Sequence, residues 1–559
     1  MTQEIHFMTV AQLASAIQSK SLSPVEVADA LLRRIEAVNP QLDAFITLLG
    51  EQALDGARQA ESDIAAGRYK GPLHGVPFGL KDIYDTEGVL TTGHSKTCID
   101  RVPATDATTT ARLKAAGGIL LGKLATHEFA HGGPSFDLPW PPARNPWRTD
   151  SFTGGSSSGS GAAVASGMLP APLGSDTGGS IRTPSGLSGI AGLKPTYGLV
   201  SRAGVIPNSF TFDTCGPMTW TAEDCAILLQ ALAGFDPRDP ASADRPVPDY
   251  RAALTGDIRG LRIGAVRHFW EEDLPANEPT RASMEAAIDV FRQLGATVED
   301  VRLDPMQAYT DVKVLIAESE LFSIHSAELR KRPEEFGFDF RGRVLPACLI
   351  TSEDYMQAQK LRRRLVKAMA PVYEKFDILI APSTYGPASP LSDHSTVSFW
   401  QKPKITTVFN VTAGPGLALC AGFTEEGMPL PMQIVGRPFD DATVLNAGYA
   451  YESATEWRQR RPQLEDGAAA LPVDPPPMAA DASHVDPEIR RMVEMAVKHA
   501  GLSLSDAVYD QVLEAAPHVL AMAGRIRGDY GFGDEPANIW RFDAAMQPRS
   551  GHLNQQAAD

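Results

Sequence analysis

Cysteine is scarce and unpatterned in this chain. Five are spread over 559 residues, Cys98, Cys215, Cys225, Cys348 and Cys420, an odd number with no C-x-x-C pair. That argues against a disulfide framework and against a structural zinc site. Long apolar runs are missing as well. No stretch of about 18 uncharged apolar residues occurs, so no membrane span is expected. Residues 1–18 carry Glu4 among alternating polar residues, without a basic n-region or an apolar h-region, so no secretory leader is expected. Basic residues are in deficit, with 51 Lys and Arg against 68 Asp and Glu, a formal net charge of −17. A surface that acidic repels phosphate backbones and anionic lipid, so neither nucleic acid nor membrane is expected as the main partner. The expected location is the reducing cytoplasm. What is present is ordinary: 43% apolar and 21% charged residues, enough to bury a sizeable core.

The chain divides unevenly. Residues 8–38 read as two amphipathic helices. Ser23 and Pro24 open the second, with Glu26 at capping-box spacing and Val27, Leu31, Leu32 and Ile35 at helical intervals. Helical and short β-type segments then alternate to about residue 460, as in 108–115 followed by Gly118-Ile119-Leu120-Leu121. This predicts an α/β fold with a largely covered sheet. Residues 466–483 read as a Pro-rich, semi-rigid linker. It divides a catalytic domain, 1–465, from a small helical domain, 484–559. In the latter, 486–499 and 505–527 read as helices. Val508, Val512, Val519, Ala523 and Ile526 lie on one side of the second, and Pro517 should bend it.

Four motifs compete for the chemistry. His127-Glu128-Phe129-Ala130-His131 matches the H-E-x-x-H pattern, in which two His one helical turn apart hold zinc and Glu acts as base. Gly132-Gly133-Pro134 follows at once, which would stop the required helix at its second ligand, so a polar turn is expected instead of a metallopeptidase. Gly155-Ser156-Ser157-Ser158-Gly159 fits the G-x-S-x-G elbow, but Arg148-Thr149-Asp150-Ser151-Phe152-Thr153 before it does not read as a buried strand. A phosphate loop needs a closing Gly-Lys, and no Lys lies between Lys123 and Lys194.

The fourth reading joins three separated segments: Lys81 after an apolar run, the Gly/Ser loop around Ser156, and the turn Asp176-Thr177-Gly178-Gly179-Ser180-Ile181-Arg182. A nucleophilic Ser needs a base, and a Lys serves only where burial or a neighbouring cation lowers its pKa. Acyl transfer also needs backbone N–H groups aimed at an oxyanion, and glycines allow that approach.

These residues carry a resemblance. The Gly-Gly-Ser-Ser core, the Asp-Thr-Gly-Gly-Ser-Ile-Arg turn, Arg144-Asn145-Pro146-Trp147, Gly192-Leu193-Lys194-Pro195-Thr196, Cys215-Gly216-Pro217-Met218 and Gln433-Ile434-Val435-Gly436-Arg437-Pro438-Phe439 are similar to blocks of the amidase signature family, over about residues 8–460. The resemblance implies a mixed β-sheet flanked by helices on both faces. It implies Ser180 as acylated nucleophile, Ser156 as bridging serine after a cis peptide, and Lys81 as neutral base. Thr177, Gly178 and Gly179, with the Ser180 N–H, would hold the oxyanion, and Ala130 and His131 would contact substrate. Asp176 and Arg182 would hold the turn. No cofactor or metal is implied. The activity implied is hydrolysis of a carboxamide, urea or carbamoyl C–N bond.

Two departures bear on substrate. Ser158 stands where many members have glycine. The glutamine-hydrolysing subunits of tRNA-dependent amidotransferases carry a Ser-Asn-Leu-Ala-Arg-Tyr-type stretch whose Arg holds the glutamine carboxylate. Here 318–325 reads Glu-Ser-Glu-Leu-Phe-Ser-Ile-His, without it. Such a glutamine-hydrolysing subunit is the alternative function; a non-catalytic partner subunit is a further one. The tail resembles the small helical companion subunits of amidotransferase and carboxybiuret-hydrolase complexes, here fused. The partners expected are a small amide or urea-like substrate and a second copy of the chain, as a homodimer. His127, His131, His325, Phe136, Trp140 and Tyr385 are candidate pocket residues.

Overall fold

The structure is a computed structural model, and it describes residues 4–528, 530, 531 and 534–536. Its centre is a single 11-stranded sheet. In spatial order the strands are Phe45–Leu48, Ile119–Leu124, Pro77–Lys81, Ala171–Asp176, Thr214–Thr219, Ala191–Lys194, Gly416–Phe423, Pro429–Gly436, Ile378–Pro382, Arg262–Ala265 and Thr297–Asp300. Pairing is parallel around Pro77–Lys81 and at the Thr297–Asp300 edge, and antiparallel through the middle. Every residue of Pro77–Lys81, Ala171–Asp176, Thr214–Thr219, Ala191–Lys194 and Pro429–Gly436 is buried. A strand buried at consecutive positions is covered on both faces, so helices must flank the sheet on each side. This is the mixed, helix-flanked α/β architecture expected.

Local chemistry explains the elements. The two N-terminal helices form as Val10–Gln18 and Pro24–Val38. The second opens with the predicted capping box: Ser23 takes the Val25 N–H, and Glu26 takes that of Ser23 at 2.8 Å. Among the described residues no buried strand immediately precedes the Gly/Ser loop, as expected. Arg148–Phe152 is a strand, although its residues are polar, because it pairs with Arg144–Asn145 in a separate two-stranded hairpin outside the main sheet.

No helix or strand lies between Trp457–Gln459 and Pro487–His499. This stretch runs along the catalytic body: Gly467 N–H donates to Ala37 O at 2.9 Å, and Arg144 donates to Leu471 O at 2.6 Å. The last helices among the described residues are Pro487–His499 and Asp506–Ile526, the latter continuing through Pro517. Val508, Val512, Val519, Ala523 and Ile526 are all buried. Asp506–Ile526 packs against Met306–Lys331, Phe338–Val344, Leu345–Leu349, Ser352–Lys375 and Ser398–Gln401. Of the tail segment Asp534-Glu535-Pro536-Ala537, Ala537 lies outside the described residues; Glu535 pairs with Arg363 at 2.7 Å.

Candidate active site

Lys81 ends its strand with no exposed surface. Its Nζ lies 2.6 Å from Ser156 Oγ and 2.9 Å from Ser175 Oγ. Burial pulls this amine down to about 7, against the opposing pull of Asp213 and Asp176. Ser156 follows a cis peptide bond to Gly155, and its Oγ donates to the Ala130 carbonyl at 2.7 Å. Asn208 donates to the same carbonyl at 2.9 Å. Glycine is required at 155, since a Cβ there would fall 1.9 Å from the His127 ring.

Ser180 ends the turn between the strand Ala171–Asp176 and the helix Arg182–Leu187. The Asp176 carboxylate ties this turn together. It accepts the N–H groups of Gly179 at 2.8 Å and Ile181 at 3.1 Å, and both Nε and Nη2 of Arg182. Burial alone would raise its pKa, but the Arg182 charge and hydrogen bonds hold it well below the usual carboxylate range. Arg182 reaches on to Gln433 at 2.9 Å and Asn410 at 2.6 Å. Gly179 has φ +126°, and a Cβ there would lie 2.2 Å from Thr406 Oγ1.

Ser180, partly exposed, opens into a cavity of about 290 Å³ that Thr177, Gly178, Gly179, Ala130 and His131 also line. Their contacts divide them. The Gly179 N–H is engaged by Asp176, whereas those of Thr177, Gly178 and Ser180 meet no acceptor among the described residues. Of the four N–H groups expected as oxyanion donors, three therefore have no acceptor among the described residues. The Thr177 hydroxyl donates to Asp213 at 2.6 Å. The Ala130 carbonyl is occupied by Ser156 and Asn208.

The H-E-x-x-H segment does not form a metal-binding helix. Glu128–Ala130 is one 3₁₀ turn in which Phe129 and Ala130 have φ 47° and 60°. His127 Nδ1 sits 2.6 Å from Gly132 O, and burial lowers this imidazole to about 3. His131 Nε2 faces Glu318 at 3.1 Å. Glu128 accepts from Ser95 at 2.5 Å and from Gly337 N–H at 2.8 Å, and burial raises it to about 8. With the imidazoles aimed at different partners and no helix to align them, the zinc reading fails on geometry.

Among the remaining candidates, Tyr385 lines the cavity. His325 does not line it; its ring lies 4.4 Å from that of Phe129. Phe136 borders a neighbouring cleft walled by Pro476, Pro477 and Met478, and the Trp140 carbonyl pairs with His94 Nε2 at 3.0 Å. Sequence reading missed Ser175, Asn208, Lys313, Arg343 and Lys404. The last three line the cavity from distant segments, so no local pattern reveals them. The stretch 318–325 supplies no guanidinium, but the helix Phe338–Val344 places one in the cavity.

Known proteins place this geometry. A family model described as Amidase matches residues 26–445. A glutamyl-tRNA(Gln) amidotransferase subunit of Roseiflexus sp. (strain RS-1) is 40% identical over 485 residues, covering 82% of this chain and 99% of the relative. A solved structure described as a vestigial protein complex revealing the evolutionary origins of an s-triazine catabolic enzyme superposes with TM-score 0.75 at 32% identity, covering 80% of this chain and 98% of its own. The native peptide amidase of Stenotrophomonas maltophilia superposes with TM-score 0.71 at 30% identity, covering 81% and 98%. The chain belongs to the amidase signature family, hydrolases of C–N bonds.

Proposed function

We propose that this site hydrolyses a small carboxamide or urea-type C–N bond through an acyl-enzyme on Ser180. The observation that carries the reading is the Lys81 amine, buried, lowered to about 7 and 2.6 Å from Ser156 Oγ. In that state a large fraction of Lys81 is uncharged near neutrality, with a lone pair to accept a proton. Ser180 Oγ attacks the carbonyl carbon as its proton passes to Ser156, whose own proton passes to Lys81. The N–H groups of Thr177, Gly178 and Ser180 stabilise the oxyanion. The proton returns through Ser156 to the departing nitrogen, and ammonia or an amine leaves. Water then attacks the acyl carbonyl, delivering a proton along the same relay, and Ser180 is freed as the acid departs.

The test is ammonia release across small amides, ureas and carbamates, with Ser180→Ala and Lys81→Ala as controls. Turnover should vanish in both while they fold, and an activated-serine probe should label Ser180 in the wild type. Full activity in Ser180→Ala would sink the assignment. A chain with no activity and no labelling under any condition would instead be a non-catalytic partner in a larger complex.

A second reading is favoured by the Roseiflexus relative and by Arg343: glutamine hydrolysis within an amidotransferase assembly. Arg343 offers the carboxylate partner that 318–325 lacks. For this chain the net charge of −17 weighs against direct contact with a phosphate backbone. Glutaminase assay of the chain alone and with companion subunits tests it. The homodimer expected from sequence is checked by light scattering. Among the described residues no helix is long and apolar enough to cross a membrane.

A further inference from the structure

The cavity in front of Ser180 has a lopsided charge. Three cationic side chains line it, Lys313, Arg343 and Lys404, and no Asp or Glu does. Two carboxylates stand just behind the wall, and both are engaged. Asp339 holds Arg343 at 2.8 Å and also accepts from His394 at 2.7 Å, Thr396 at 2.8 Å and the Gly133 N–H at 2.5 Å. Glu318 faces His131 at 3.1 Å and Lys313 at 3.7 Å.

Lys404 is left over. Among the described residues no carboxylate lies within 4 Å of its Nζ, which instead sits 4.6 Å from the centre of the Phe399 ring. That ring already faces Arg343 at 4.6 Å and Lys313 at 5.7 Å. One aromatic face offsets a single desolvated cation weakly, and three like charges around it repel one another. Burial first, then Arg343 and Lys313, lower the Lys404 amine to about 7. Such a cluster is completed by an anion, which each cation would attract and which would make a charge-assisted hydrogen bond to the unpaired ammonium.

Resting on the amide-hydrolysis reading above, we infer that the substrate is a small amide or urea bearing a carboxylate and no ammonium group, with Lys404 as its specificity-determining partner. The carboxylate lies against the Lys313, Arg343 and Lys404 wall while the amide carbonyl meets Ser180. A cavity of about 290 Å³ suits a small molecule. An α-ammonium would find no carboxylate in the lining and would add a fourth positive charge, which sets glutamine apart from its des-amino analogue.

The experiment separates recognition from chemistry. Full-length Ser180→Ala is titrated calorimetrically with malonamate, succinamate and glutaramate, with glutamine, and with neutral pentanamide. At least one of the carboxylated amides should bind tenfold or more tighter than pentanamide, about the worth of one charge-assisted hydrogen bond. Glutaramate should also bind more tightly than glutamine. Adding Lys404→Gln should abolish the preference, and Lys404→Arg should keep it, with thermal melts confirming that both fold. Equal binding of pentanamide and the carboxylated amides, no binding by any of them, glutamine ahead of glutaramate, or an undiminished preference in Lys404→Gln would overturn the inference. Ammonia release from neutral amides at rates equal to anionic ones would overturn it while leaving the hydrolase intact. Anion binding without turnover in the wild type would instead defeat the hydrolase reading.

Discussion

Asp176 and Arg182 form a fully buried pair, Nη2 to Oδ1 at 3.0 Å and Nε to Oδ2 at 3.1 Å, that closes the turn carrying Ser180. The pair is a clamp, and neither side chain lines the cavity. Removing one partner strands the other's charge in the interior, which costs about 3–5 kcal/mol. Asp176→Ala should therefore lower the chemical denaturation midpoint sharply, and lose turnover together with stability. An Asp176→Ala protein as stable as wild type would contradict the clamp.

Ser175 gives a gentler probe. Its Oγ is the second acceptor of the Lys81 amine, at 2.9 Å. Ser175→Ala removes one hydrogen bond of about 1 kcal/mol that orients the base. Turnover should fall about fivefold to tenfold, with KM and melting temperature little changed. Loss of all activity would promote Ser175 from positioning to chemistry, and no change would show that Ser156 suffices to hold the amine.

The pH dependence follows from two lysines with opposite duties. Lys81 sits at about 7 and must be uncharged to accept a proton, so kcat should rise through pH 7 to a plateau. Lys404 also sits at about 7 and attracts a carboxylate only when charged. KM for an anionic amide should therefore climb above pH 7, whereas KM for a neutral amide should stay flat. The anionic substrate then gives a bell in kcat/KM and the neutral one a plateau. A falling limb of equal size for both would remove Lys404 from substrate binding.

The tail should matter to a cavity that none of its described residues lines. Gln511 donates to the Phe338 carbonyl at 2.9 Å, and Arg525 bridges to Asp311 at 2.7 and 2.8 Å. Phe338 opens the short helix that presents Arg343. Burying Val508, Val512, Val519 and Ile526 contributes several kcal/mol at roughly 25 cal/mol per Å². Truncation after residue 465 should lower solubility and melting temperature, and should raise KM for an anionic amide more than it lowers kcat. Hydrogen exchange supplies the direct check. Slow exchange in 505–527, independent of protein concentration, supports docking on the same chain, and rapid exchange throughout contradicts it.

How much is legible in the sequence differs by residue. Ser23 and Glu26 announce their helix because a capping box is a local pattern. Ser156 and Ser180 are legible because glycines that permit close backbone approach surround their loops, and Lys81 because it follows an apolar run. Arg148–Phe152 does not read as a buried strand and is not one, because a hairpin outside the main sheet needs no apolar alternation. Lys313, Arg343 and Lys404 are invisible for a different reason. A charge that is buried, as at Lys313 and Arg343, or half-buried, as at Lys404, looks like a surface charge in sequence, and the three are brought together only by tertiary folding. The same blindness hides that, although 318–325 offers no Arg, the helix Phe338–Val344 brings Arg343 to the cavity.

The Arg182 guanidinium that braces the Ser180 turn is itself held by Asn410 and Gln433, 228 and 251 residues further along the chain. Contacts that remote form late, because the entropy of closing so long a loop is lost before any contact repays it. During synthesis, residues 81, 156 and 180 emerge well before Asn410 and Gln433, so every nascent chain carries an unbraced clamp until residue 433 has left the ribosome. The ribosome-bound N-terminal portion should thus be catalytically silent and a natural client for chaperones. Fragments that end before residue 410 should behave the same way, and supplying the missing C-terminal piece in trans should restore the brace.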